Sequence, residues 1–271
     1  MYLMKRQIFI YLLIVVLFFS FTYLLTKIIF LGQEKIKMTS ENLVDKNVKK
    51  VSLQTIDGVK IVGNYYLGTN QEVAFILVHM RPKTKESWDE LAKFLQQKGY
   101  SSLAIDLRGH GESVESVKGI LDYQKMSENE ERESILDLEA ASLFLTKEGF
   151  GKNRQILIGA SIGANLSFEM MSIYPEILAA VLLSPGDNYR GIILENYKDK
   201  VDGQKILTIV AKDDLKQALN AVDLIKSWYP TTTVWVLEKG GHGTDILVKN
   251  PELLDKIYFW LKEKISLLSN D

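Results

Sequence analysis

From residue 73 onward the sequence alternates short apolar runs with segments of helical period, and this alternation constrains the fold more than any other feature. Residues 73–78, 102–105, 155–158, 177–183, 205–210 and 232–237 have the length and apolar character of buried strands. Between them, residues 86–98 carry Trp88, Leu91 and Leu95 on one helical face, and residues 162–174 align Ile162, Leu166, Met170 and Ile173. Further helices are predicted over 131–147, 215–228 and 251–265, the last with Asn250 placed to cap it. Strands that alternate with helices predict an α/β fold, a mostly parallel sheet buried on both faces. Residues 51–56 and 59–66 are β-rich runs separated by Asp57-Gly58, a tight-turn pair, so the sheet is expected to start antiparallel.

The first 31 residues belong to another regime. Residues 8–26 contain no charge and are long enough to cross a hydrocarbon core as a helix, which predicts a transmembrane anchor. No small-x-small cleavage site follows, so the anchor is expected to be retained, with the domain on the extracytoplasmic side. Residues 32–48 are polar and aperiodic, a linker, and residues 49–271 form the folded domain. Lys and Arg number 33 against 34 Asp and Glu, a formal charge of -1, which gives no field for nucleic acid. The chain has no cysteine, which excludes disulfides, thiolate metal sites and a cysteine nucleophile. Its three histidines, His79, His110 and His242, include no i, i+4 pair that would share a metal.

Gly159, Ala160, Ser161, Ile162 and Gly163 spell GxSxG between a predicted strand and a predicted helix. In that context the serine sits on a turn too sharp for side chains at the flanking glycines, and its hydroxyl is exposed as a nucleophile. Serine needs a base, and the base needs an acid that holds its tautomer. The only histidine after Ser161 is His242, within Gly240-Gly241-His242-Gly243 past the last strand. At the end of the strand before it stand Asp213 and Asp214; Asp214 is the expected acid, and spacing leaves Asp213 as a rival. The oxyanion of an acyl intermediate requires two backbone N–H groups, expected from Ile162 and from Met80 in the loop after residues 73–78.

His79-Met80, residues 106–113 (DLRGHGES), the Ser161 turn and His242 together resemble the α/β-hydrolase superfamily, over about residues 50–268. The chain is most similar to its bacterial esterase-like and dienelactone-hydrolase-like members, and residues 184–192 (SPGDNYRGI) also resemble that group. The resemblance implies hydrolysis without a cofactor, and the histidine spacing makes a metal site unexpected. Many relatives have His-Gly where this chain has His79-Met80, so a thioether is expected to narrow the acyl pocket. The resemblance also makes His110 a structural residue of the site's edge.

Other polar residues have plainer expected roles. His79 is expected to fix the Met80 loop by a hydrogen bond, and Asp106 and Arg108 to organise the same neighbourhood. Glu128, Glu130, Glu131 and Glu133 are read as a solvated helix start. Residues 184–205 leave room for only one helix and its connections, hence a short or absent cap. The function expected is a serine hydrolase acting on a small-molecule carboxylic ester or related acyl compound. Alternatives are a catalytically silent binding module on the same scaffold, or a peptide-bond or carbon-carbon hydrolase using the same residues.

Overall fold

The computed structural model describes residues 22–27, 29–30 and 47–266. The chain divides into Met1–Lys46 and Asn47–Asp271. Most of the expected anchor, residues 8–26, lies outside the described residues; residues 22–27 and 29–30 are helical. Among the described residues no helix is long and apolar enough to cross a membrane.

Eight strands form one sheet: β1 (Val48–Gln54), β2 (Lys60–Tyr66), β3 (Ala74–Val78), β4 (Ser101–Ile105), β5 (Gln155–Ala160), β6 (Ala179–Leu183), β7 (Ile206–Ala211) and β8 (Thr233–Leu237). Their order is β1-β2-β4-β3-β5-β6-β7-β8. The turn at Thr55–Gly58, with Gly58 at φ 87°, joins β1 and β2 antiparallel, and β2 pairs antiparallel with β4. Every pairing from β4 to β8 is parallel. The described domain is an α/β-hydrolase fold with the antiparallel start that the sequence predicts.

Five longer helices connect or follow the strands: α1 (Asp89–Gln97), α2 (Ile135–Lys147), α3 (Ile162–Ile173), α4 (Lys216–Trp228) and α5 (Leu253–Ser266). The period of two divides each buried strand between two cores. Ala74, Ile76 and Val78 of β3 join one with α2 and α3, whereas Phe75 and Leu77 join the other with α1 and α5. Parallel strands covered on both faces expose only their ends, so functional loops collect at the carboxyl ends.

Three expectations need correction. The helix predicted over 131–147 is two, Glu128–Arg132 and α2, broken at Glu133 and Ser134. The first is closed by a reciprocal capping box, in which Ser127 accepts from Glu130 N–H and the Glu130 carboxylate accepts from Ser127 N–H. Asn250 does not cap α5 with its side chain: its amide donates to Lys239 O and Ile246 O, tying together the loop after β8. Residues 184–205 form a two-stranded hairpin, Asn188–Tyr189 with Ile192–Ile193, and two 3-10 turns rather than an α-helix.

Candidate active site

Ser161 sits between β5 and α3 with φ 54° and ψ -119°, a conformation that costs an L-residue about 1–3 kcal/mol and is held by its surroundings. Both flanking glycines are required by space. A Cβ on Gly159 would lie 2.1 Å from Gly163 O, and one on Gly163 would lie 2.3 Å from Val78 O. Ser161 N–H donates to Leu183 O of β6, and its carbonyl accepts the first bonds of α3 from Ala164 and Asn165. Strand, turn and helix thus converge on one hydroxyl at the carboxyl end of the sheet.

His242 follows β8 and bridges two residues that are far apart in sequence. Its Nε2 is 2.8 Å from Ser161 Oγ, and its Nδ1 is 2.6 Å from Asp214 Oδ1. With Nδ1–H donating to the carboxylate, Nε2 is left as an acceptor for the serine proton. The Asp214 side chain is buried and its remaining bonds are filled: Leu215 N–H donates to Oδ1, and the Ser184 hydroxyl donates to Oδ2. Ser184 Oγ in turn accepts from Gly243 N–H at 2.8 Å, so one serine clamps the acid to the histidine loop. Ser184 opens the segment 184–192 that the sequence singles out, but this bond was not foreseen; the residue has a φ of 52° at the end of β6.

The neighbouring carboxylate makes different bonds. Asp213 Oδ1 accepts from Gly240 N–H at 2.8 Å and Gly241 N–H at 3.0 Å, and these two bonds hold its carboxyl below the ordinary carboxylate range. It shapes the turn that carries His242 and, among the described residues, makes its bonds to that turn's backbone rather than to the ring.

Met80 follows β3, and Ile162 opens the first turn of α3. Neither N–H is used by a loop or cap hydrogen bond of the described residues. Ile162 N–H belongs to the unsatisfied amides of a helix start, which favour developing negative charge. The buried Met80 thioether packs against the histidine loop, with Sδ 2.2 Å from where a Gly243 Cβ would be.

Behind this loop His79 is fully buried. Leu107 N–H donates to its Nε2 at 2.9 Å, so its Nδ1–H donates to Met80 O at 3.0 Å. Burial pushes the ring's pKa down to about 4, and this neutral imidazole fixes the Met80 peptide. His110 packs edge-on to His79 at 4.9 Å and stacks on Tyr123 at 4.1 Å; burial takes it down to about 4 as well. Asp106 is buried and accepts from Lys85 Nζ, Lys85 N–H and Glu112 N–H. Arg108 is clasped by Asp137, Asp57 and Glu133. Removing one member of such a buried pair costs about 3–5 kcal/mol, so these charges serve as scaffold for the loops.

Glu131 corrects the reading of a solvated acidic cluster: its side chain is 3% exposed and lies between Arg81 at 3.4 Å and Arg190 at 2.9 Å. Asn165 was also missed. It is fully buried on α3, accepts from Gly186 N–H and donates to Gly186 O and Ile192 O. An asparagine on the buried face of an apolar helix was the available signal.

Fold and sequence together define the class. A profile of the alpha/beta hydrolase fold family matches residues 73–213, and the chain belongs to that family. Among known proteins it is 33% identical over 95 residues to the thiohydrolase aneE of Aspergillus aculeatus, a match spanning 34% of this chain and only 29% of that protein. Its fold is similar to the esterase Pf2001 of Pyrococcus furiosus, with TM-score 0.64 and 22% identity over 80% of this chain and 93% of that one. A putative lipase (lip1) of Acinetobacter baumannii has TM-score 0.64 at 15% identity, over 88% of this chain and 97% of that one.

Proposed function

We propose that the chain hydrolyses a small carboxylic ester or related acyl compound through an acyl-enzyme on Ser161. The observation that carries this reading is His242, hydrogen-bonded at once to Ser161 Oγ and Asp214 Oδ1. Ser161 Oγ attacks the acyl carbon as its proton passes to His242 Nε2, and Asp214 stabilises the imidazolium. The oxyanion accepts hydrogen bonds from Met80 N–H and Ile162 N–H. Collapse of the intermediate breaks the bond to the leaving group, which takes the proton back from Nε2. Water then repeats the sequence on the acyl-enzyme and frees the acid. The names of the Aspergillus thiohydrolase and the Pyrococcus esterase support acyl substrates with sulfur or oxygen leaving groups.

Labelling of the full-length protein with a fluorophosphonate probe tests the reading. Wild type should be labelled, Ser161→Ala should not, and His242→Ala should react at least a hundredfold more slowly. A folded wild type that takes no label, or label that survives Ser161→Ala, refutes it.

A further inference from the structure

We propose that the Tyr189 hydroxyl donates a hydrogen bond to the leaving-group oxygen at Ser161. The inference rests on the acyl-hydrolase reading and adds a residue to it. Tyr189 lies on the hairpin after β6, and its ring stands edge-on to His242, with centroids 6.1 Å apart and planes at 81°. Its hydroxyl is buried beside the Ser161 hydroxyl and makes no well-formed hydrogen bond among the described residues. A hydroxyl sealed from water without a partner carries a free-energy cost, which a partner arriving with substrate removes.

The sheet decides which partner that is. β3 and β6 flank β5 on opposite sides, so Met80 and Tyr189 come from loops on opposite sides of the strand that carries Ser161. The Tyr189 ring lies against His242, whose Nε2 must return its proton to the leaving group. Burial foremost, then the Asp214 charge, holds the phenol well above its ordinary pKa, with the neighbouring Ser161 hydroxyl opposing. The group therefore remains a donor at every working pH and takes no proton from the reaction.

The hairpin is built to hold this ring. Arg190 and Gly191 take positive φ at its turn, 53° and 81°, and Arg190 is tied to Glu131 and to Met126 O. Gly186 leaves room for the ring: a Cβ there would lie 2.4 Å from Tyr189 carbons. Asn165, one turn along α3 from Ser161, bonds both ends of the segment at Gly186 and Ile192. The nucleophile and Tyr189 thus share one rigid mount.

Tyr189→Phe keeps the ring and removes the donor. The test uses full-length protein and two esters of the acyl chain that wild type cleaves fastest, one with p-nitrophenolate and one with a primary alkoxide as leaving group. The alkoxide, being far more basic, needs the donor more. The variant should lose roughly tenfold or more in kcat on the alkyl ester, with about twofold or less on the nitrophenyl ester, unchanged KM and unchanged fluorophosphonate labelling. Equal losses on both esters, a change confined to KM, or no change overturns the inference while leaving Ser161 as the nucleophile. Wild type that is labelled but cleaves no alkyl ester also overturns it. Wild type that takes no label removes the hydrolase mechanism and this role together.

Discussion

Asp213 and Asp214 are neighbours with the same side chain, and their amides should separate them sharply. In Asp214→Asn two donors, His242 Nδ1–H and Leu215 N–H, still converge on the Oδ1 position. The new amide therefore places its oxygen there and its NH2 towards Ser184, whose oxygen can accept it alongside Gly243 N–H. The histidine keeps its tautomer, and what is lost is charge opposite the imidazolium. Unit charges about 4 Å apart at an effective dielectric of about 20 interact by about 4 kcal/mol, which corresponds to about 10³-fold in kcat. Asp213→Asn retains an acceptor for Gly240 and Gly241 and should cost less than about tenfold. The assay is initial rates on a short-chain nitrophenyl ester, with circular dichroism to verify folding. A folded Asp214→Asn retaining more than about a tenth of wild-type kcat, or an Asp213→Asn that is the more damaged, would refute the assignment.

Two other outcomes are expected. His79 and His110 are pushed down to about 4 when folded, so below their ordinary value the unfolded chain binds protons that the folded chain refuses. Stability is then full above about pH 6.5 and falls towards pH 4, by about 2 kcal/mol for each ring at about pH 5. Asp137, pushed up to about 6 by burial against the opposing Arg108, acts in the reverse sense and offsets about 1.4 kcal/mol there. The net loss of about 2–3 kcal/mol should appear in urea unfolding at pH 5 against pH 7.5, and equal midpoints at the two values would contradict it. Separately, the uncharged run at residues 8–26 predicts that full-length protein stays with membranes through an alkaline carbonate wash. Release into the wash would remove the anchor.

Much of this protein follows from local pattern. Alternating periods of two and 3.6 identify the strands and helices because each buries one face or stripe, and they imply a parallel sheet without naming its order. The sharp turn at Ser161 was legible because the flanking glycines answer a steric demand made within five residues, and the pairing of Ser161 with His242 because no other histidine follows it. What lies beyond local pattern was decided by packing across the sheet. Asp213 and Asp214 differ only in direction: one side chain turns to the backbone of the histidine loop and the other to the ring, a choice set by the return of the chain after β8. Glu131 reads as a surface charge until Arg81 and Arg190, from 50 residues before and 59 after, enclose it. Ser184, Asn165 and Tyr189 likewise acquire their roles from groups brought close only when β5, β6 and β7 lie side by side. Spacing along a chain specifies what each segment can become; hydrogen-bond partners for buried polar groups are specified by distances that exist only in the folded sheet.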